Sequence, residues 1–167
     1  MDRFDVSAFY RFAPLPGYQA MQAPLQGLCD RHGIKGILLI APEGINGTVA
    51  GLPEDMAIVM EDIGRITGLT RLEPRTSHAA AMPFLRMKVR LKREIVTMGE
   101  AVADPLAQVG TYVAPEDWNA LVSDPDVLLI DTRNSFEHAV GTFAGAIDPG
   151  TTSFGEFPDF VRDTLAQ

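Results

Sequence analysis

Residues 82–93 read MPFLRMKVRLKR, and from Leu85 the stretch alternates strictly between apolar and basic side chains. Leu85, Met87, Val89 and Leu91 are apolar, Arg86, Lys88, Arg90 and Lys92 are cationic, and Arg93 follows. Side chains on an extended strand point alternately to opposite faces, so the pattern predicts a strand over 84–92 with one oily and one positive face. The oily face calls for helices packed against that side of a sheet. The basic face then lies on the side that the helices leave open.

The flanking sequence supplies those helices and the rest of the sheet. DVSAFYRF (5–12) reads as a first strand, with Val6, Ala8 and Tyr10 on one face, and APLPG (13–17) as a proline-rich turn. Tyr18, Met21, Leu25 and Leu28 recur at helical spacing, which predicts an amphipathic helix over 18–31, ended by Gly33. IKGILLIA (34–41) is a near-continuous apolar strand, PEGING (42–47) a turn cluster, and TVAG (48–51) the returning strand. Pro53 at a first helical position, with Glu54 and Asp55 beside it, starts a second helix whose buried stripe is Met56, Met60, Ile63 and Ile66. Gly68 stops it, and LTRLEPRTS (69–77) is extended again. Strand, helix, strand, strand, helix, strand, plus one more strand, predicts a split-βαβ, ferredoxin-like sandwich over 1–93, with two helices on one face of an antiparallel sheet.

Residues 94–113 read as a partly regular linker, and 114–167 as a second unit. Pro115 with Glu116 and Asp117 opens a helix that turns Trp118, Leu121 and Val122 inward. VLLI (127–130) is a short strand ending at Asp131, NSFE (134–137) has the form of a capping box, Gly141 ends that helix, and GAI (145–147) begins another strand. SFGEFPDFVRDTL (153–165) reads as a last helix. This alternation predicts an α/β unit with a parallel sheet. Two short strands and a terminal helix cannot close a core, so the unit is expected to be incomplete.

Charge separates the same two regions. Residues 1–93 hold twelve Lys+Arg against nine Asp+Glu, a balance of +3, while 94–167 hold two against thirteen, a balance of −11. Residues 71–93 alone carry seven cations against Glu73. The net charge of −8 therefore leaves room for an anionic partner, provided that it meets one patch. No apolar run approaches the ~18–20 residues of a membrane span. Asp2, Arg3, Asp5 and Arg11 break up the start, so a secretory signal is not expected. A single cysteine, Cys29, excludes an intramolecular disulfide and fits a reducing cytoplasm.

LLIDTRNSFEHAVGTFAGAI (128–147) resembles the first half of a rhodanese domain: an apolar strand ending in Asp131-x-Arg133, the Phe136–Glu137 pair, Gly141, and GAI leading into the next strand. Together with FYRF (9–12), APEGINGTVAG (41–51) and LRMKVRLKREIVTMG (85–99), the whole chain is similar to the N-terminal portion of the rhodanese-domain tRNA uridine hydroxylases, formerly grouped as rhodanese-related sulfurtransferases. The resemblance implies oxygen-dependent conversion of the tRNA wobble uridine, position 34, to 5-hydroxyuridine, with tRNA and molecular oxygen as partners and no cofactor assigned. It also implies an acylphosphatase-like domain followed by a rhodanese domain with its cysteine in a Cys-x-Gly-Gly-x-Arg-type loop. No such loop occurs in this sequence, so no catalytic residue is assigned and the chain alone is expected to be inactive. Rhodanese-type sulfur transfer, or a non-catalytic RNA-docking role, remain the alternatives. Relatives often carry Gly-His where this chain has Gly141-Thr142. The phosphate-cradling loop of true acylphosphatases is not recognisable after the first strand, so acyl phosphate hydrolysis is not expected.

The candidate nucleic-acid contacts are Arg86, Lys88, Arg90, Lys92 and Asn46. Cations aligned on one strand face repeat every ~6.6 Å and can engage successive phosphates, although the same pattern also keeps a solvent face soluble. Phe9, Tyr10 and Phe12 are candidates for base stacking, with core burial the commoner role of such residues. EGING reads either as a hairpin turn or as a loop that turns Glu43 and Asn46 toward RNA or the neighbouring rhodanese site, with Asn46 the better candidate because a carboxylate near phosphates is unfavourable. Asp131, Arg133 and Glu137 are the candidate supports of a rhodanese-type site, Asp131 as a backbone brace and Arg133 as a cavity wall. Cys29 reads as a small buried apolar residue. His32, His78 and His138 are scattered, and no metal site is expected.

Overall fold

Phe4–Phe12 forms the strand β1, with Ser7 and Phe9 buried on one face and Ala8 and Tyr10 exposed on the other. The computed structural model describes residues 3–70, 72–96, 98–99 and 110–165, and the chain divides into two units, Met1–Val96 and Thr97–Gln167. In the first unit β1 is followed by α1 (Tyr18–Arg31), β2 (Lys35–Ala41), β3 (Gly44–Gly51), α2 (Pro53–Thr67), β4 (Arg75–Ala79) and β5 (Met87–Leu91). The strands form one sheet in the order β4-β1-β3-β2-β5.

The first four strands are antiparallel, as expected, but β5 pairs with β2 in parallel, so the sheet is mixed. Chain connectivity explains this. β4 ends at Ala79 beside Phe4, where β1 begins, and β5 begins at Met87 beside Gly36, where β2 begins. Residues 80–86 therefore pass from one edge to the other along the same end of the sheet. Four strand spacings are about 19 Å, a distance that a nearly extended segment of this length covers. Leu85 belongs to this crossing and not to the strand. It is 95% exposed, and the oily face of β5 is reduced to Met87, Val89 and Leu91.

Both helices lie on one face. Leu25, Leu28 and Cys29 of α1 and Met56, Val59 and Ile63 of α2 share a single cluster with Phe9, Leu38, Ile40, Ile45, Val49 and Val89 from the sheet. Each large side chain so enclosed contributes on the order of 1.5–3 kcal/mol. The α2 stripe centres on Met56, Val59, Ile63 and Thr67, with Met60 and Ile66 at its flank, a rotation of the expected one. β2 and β3 are joined by the two residues Pro42 and Glu43, so Asn46 and Gly47 lie in the strand and only Gly44 of that cluster has positive φ. A Cβ on Gly44 would stand 2.1 Å from the Arg11 carbonyl oxygen, and φ is +150°. The close approach of β3 to β1 needs glycine there.

Two devices invisible to periodicity complete this unit. Val89 on the edge strand β5 donates its N–H to the Gln26 side chain (3.0 Å) and accepts from the Gln22 amide at its carbonyl (2.9 Å). Two glutamines one helical turn apart thus satisfy backbone groups of an edge strand. At the other end of β2, Glu43 Oε1 accepts from the Ile95 N–H at 2.7 Å and Asn46 Nδ2 donates to the Ile95 carbonyl at 3.3 Å, fixing the segment after β5.

The second unit holds α3 (Pro115–Val122), α4 (Ser135–Val140), a 3-10 turn at Phe154–Glu156, α5 (Phe157–Phe160) and a π turn at Val161–Leu165. The two expected strands are reduced to a single parallel bridge between Ile130 and Ile147. Asp131 N–H donates to the Ile147 carbonyl and Ile147 N–H to the Leu129 carbonyl. α3 buries none of its residues fully; Trp118 rests on the Phe143 ring at 5.1 Å, and Leu121 is 38% exposed. The capping box of α4 is present, with Glu137 Oε2 accepting from the Asn134 N–H at 3.3 Å. Most of the predicted linker, at 97 and 100–109, lies outside the described residues, as does Arg71 of the basic cluster.

Candidate nucleic-acid interface

Strand register defines the face opposite the helices. Ala8 pairs with Thr48 on one side and Arg75 on the other, Thr48 with Ile37, and Ile37 with Lys88. One row of this open face therefore reads Arg75–Ala8–Thr48–Ile37–Lys88 across all five strands. The next reads Tyr10–Asn46–Leu39–Arg90. Lys35 pairs with Ala50, placing a further cation on the same side. Alternation carries Arg86 and Lys92 to this face as well. Arg75, Lys88 and Arg90 sit on the outer strands and Lys35 at the start of β2, while between them the face carries Ala8, Tyr10, Thr48, Asn46, Ile37 and Leu39.

The basic stripe is neither covered nor neutralised. Arg86, Arg90 and Lys92 are exposed and Lys88 is half-buried. Among the described residues none of the four forms an ion pair with a carboxylate. Arg86 first, and then Arg90, push the Lys88 ammonium below its ordinary pKa by like-charge repulsion. This is a field that favours an external anion.

Asn46 lies on the open face, but its amide holds the Ile95 carbonyl, and Glu43 holds the Ile95 N–H. Both side chains of the EGING stretch thus serve the fold. Of the three aromatic candidates, Phe9 is 4% exposed in the core and Tyr10 is 56% exposed, with Phe12 edge-on to it at 6.1 Å. Arg75 belongs to the 71–93 basic cluster legible in the sequence, whereas Lys35 does not; it precedes the apolar run of β2, and only the register reveals the face it joins.

The loop after β1 is unlike an anion cradle because its N–H groups are spent or missing. Ala13 and Leu15 donate their N–H groups to the Glu43 and Pro42 carbonyls, Pro14 and Pro16 have none, and the Leu15 side chain is buried. Cys29 is fully buried and its thiol is pushed up to about 11, chiefly by burial and then by Asp30, so it is no nucleophile.

In the second unit Asp131 and Arg133 form a closed cluster. The Arg133 Nε and Nη2 donate to the two Asp131 oxygens at 2.9 and 2.6 Å, the Arg133 N–H to Oδ1 at 3.2 Å, and the Thr142 hydroxyl to Oδ2 at 2.8 Å. Arg133 Nη2 also donates to the Gly141 carbonyl. The Arg133 guanidinium, aided by Thr142, holds the Asp131 carboxyl well below the usual carboxylate range. Thr142, at the departure from Gly-His, supplies a hydroxyl to the same carboxylate. The cluster walls an open cleft of about 680 Å³ that Trp118 and Phe143 also line. Glu137 caps its own helix. No group of three or more His, Cys, Asp or Glu side chains placed to hold a metal occurs among the described residues.

A split-βαβ sandwich with an added parallel edge strand and a cationic open face is the class that this geometry defines: an acylphosphatase-like α/β domain. The match to the family described as UPF0176 acylphosphatase like domain covers residues 4–95, and the chain belongs to that family. A Brucella anthropi protein named tRNA uridine(34) hydroxylase is 57% identical over 165 residues, which are 97% of this chain and 54% of the relative. A Gluconobacter oxydans protein of the same name is 58% identical over 157 residues, 94% of this chain and 50% of the relative. The chain spans about half the length of the curated relatives it matches. An acylphosphatase structure from Coxiella burnetii aligns with TM-score 0.41 and 8% identity over 53% of this chain and 94% of that one, a likeness too weak to argue from.

Proposed function

We propose that this chain is the N-terminal half of an enzyme that hydroxylates uridine 34 of tRNA to 5-hydroxyuridine with molecular oxygen, and that its first unit helps to hold the tRNA. The observation that carries the reading is the 57% identity to proteins of that name, which extends over both units. Arg86, Lys88, Arg90 and Lys92, which form no ion pair with a carboxylate among the described residues, support the tRNA-holding role, because phosphate contacts supply affinity and orientation without selecting sequence. Asn46 is left out of the contact set, since its amide is engaged with Ile95.

Residues 114–167 are the opening of a rhodanese-type α/β domain in this reading. The parallel bridge at Ile130–Ile147 and the exposed Phe136 and Val140 support an unfinished sheet layer. Asp131 braces the backbone at Arg133, and Arg133 shapes the cleft wall. The reactive cysteine is assigned outside this sequence, because Cys29 is buried and protonated. The site of action is the cytoplasm, where tRNA is modified; no helix among the described residues is long and apolar enough to cross a membrane.

The test uses the full-length protein. tRNA lacking the modification is incubated with it under ¹⁸O₂ and the nucleosides are analysed by mass spectrometry. Labelled 5-hydroxyuridine at the wobble position is expected. Thiosulfate-to-cyanide sulfur transfer without any oxidised uridine would replace hydroxylation by sulfur transfer.

A further inference from the structure

We propose that the open face of the sheet is a platform for single-stranded RNA, with the Tyr10 ring stacking on one base and Lys88 and Arg90 at one edge and Arg75 at the other holding phosphates. The inference rests on the nucleic-acid reading of this face and specifies which form of RNA it takes and which residue reads it.

Tyr10 stands on β1, inside the sheet and not at its rim, yet it is 56% exposed while its neighbour Phe9 is 4% exposed. More than half of the Tyr10 surface thus faces solvent on the side without helices, next to Asn46, whose amide holds the Ile95 carbonyl. The edge of Phe12, at 6.1 Å and 70°, sets the ring's orientation. Two residues back on the same face stands Ala8, exposed and small, leaving space beside the ring. Ile37, 37% exposed and one row away, adds an apolar surface.

The charges lie where phosphates of a crossing strand would lie. Arg75 and Lys88 close the two ends of one row, about 19 Å apart by strand spacing, and Arg90 closes the row of Tyr10. A duplex could meet the basic edge but keeps its bases stacked inside, out of reach of a tyrosine ring. Only an unstacked strand uses cations and ring together, and stacking of this kind tolerates any base.

The test measures binding of the chain 1–167 to a fluorescent single-stranded RNA of about eight nucleotides, within the site sizes of such platforms, and to a hairpin duplex of equal charge, by anisotropy at several salt concentrations. The single strand is expected to bind more tightly than the duplex. Tyr10→Ala and Tyr10→Leu, the second keeping a strand-compatible apolar side chain, each weaken single-strand binding about tenfold with the salt slope unchanged, and Tyr10→Phe retains it. The pair Lys88→Ala and Arg90→Ala flattens the salt slope instead. Wild-type affinity in Tyr10→Leu overturns the stacking platform while leaving the basic face intact. Equal binding of duplex and single strand overturns the single-strand assignment. No binding of either RNA at low salt removes the nucleic-acid reading of the face altogether.

Discussion

The two units treat their apolar side chains differently. Among the described residues every buried apolar residue lies in the first, from Phe9 to Ile95, where two helices close on one side of a five-stranded sheet. Among the described residues of the second unit Thr151 alone is buried, while Phe136, Val140 and Phe143 are 69%, 88% and 60% exposed. The contrast is one of layers and not of composition. A helix or strand hides its oily side only against a second layer, and the Ile130–Ile147 bridge offers no sheet wide enough for α3 or α4 to cover. The first unit is held by burial, and the second by polar contacts around Asp131, Asp148 and Glu156.

The largest effects are expected where burial dominates. Ile63→Ala removes a fully enclosed side chain between α2 and the sheet and is expected to cost about 2–5 kcal/mol. Phe143→Ala in the second unit is expected to cost less than about 1 kcal/mol by the same measurement, urea unfolding followed by circular dichroism. Equal costs would erase the distinction. Glycines sharpen it further. Gly44→Ala drives a methyl into the Arg11 carbonyl and is expected to cost more than about 3 kcal/mol. Gly145→Ala, at φ +81° with open space around it, bears only the left-handed penalty of about 1 kcal/mol.

Chemical labelling gives a smaller and local test. With its thiol pushed up to about 11, Cys29 has about one molecule in a thousand ionised at pH 8 and is buried as well. Native protein should resist a thiol reagent that modifies it at once in denaturant. Rapid native labelling would show that α1 opens and that the first unit is not the closed one.

What the sequence made legible followed from local physics. The spacing in α1, the proline and acids at the start of α2, and the Asn134–Glu137 box all act within one or two turns, and each is found as read. The alternation of β5 placed Lys88 and Arg90 opposite Val89 correctly. Long-range matters were hidden. Nothing local marks the residue at which 80–86 stops crossing and β5 begins, so Leu85 was counted into the strand. Asn46 and Glu43 read as a presentable loop because their partner, Ile95, lies about fifty residues on. Nothing local marks Gln22 and Gln26 either, because their partner is the backbone of Val89, more than sixty residues on.

In the second unit the carboxylate of Asp131 gives the comparison a pH axis. Its pKa is lowered in the folded protein, so its stabilising contribution is complete above the ordinary value of 3.8 and is lost as pH falls below it toward the folded value. The lone tryptophan, Trp118, lines the same cleft. Its near-ultraviolet circular dichroism is expected to hold from neutral pH to about 4 and decline below. Asp131→Asn should weaken the signal already at neutral pH, because the amide keeps one acceptor for Arg133 and loses the charge. An unchanged signal would detach the cluster from the cleft.

The smallest effect belongs to the first unit's open face and has the opposite sign. Lys88 is lowered from its ordinary 10.5 by Arg86 and Arg90, so its charge is disfavoured by folding at neutral pH, and the penalty is relieved only as pH rises through its folded pKa. Lys88→Gln should therefore raise the melting temperature slightly at low salt, with the gain disappearing as salt approaches ~1 M and screens the neighbouring guanidinium groups. The same substitution should weaken RNA binding. A cation that costs stability beside two others in the isolated chain is what the proposed RNA platform predicts, since a bound polyanion would relieve the repulsion. If Lys88→Gln lowers the melting temperature instead, the ammonium has an intramolecular role, and the basic stripe is part of how the sheet stays folded.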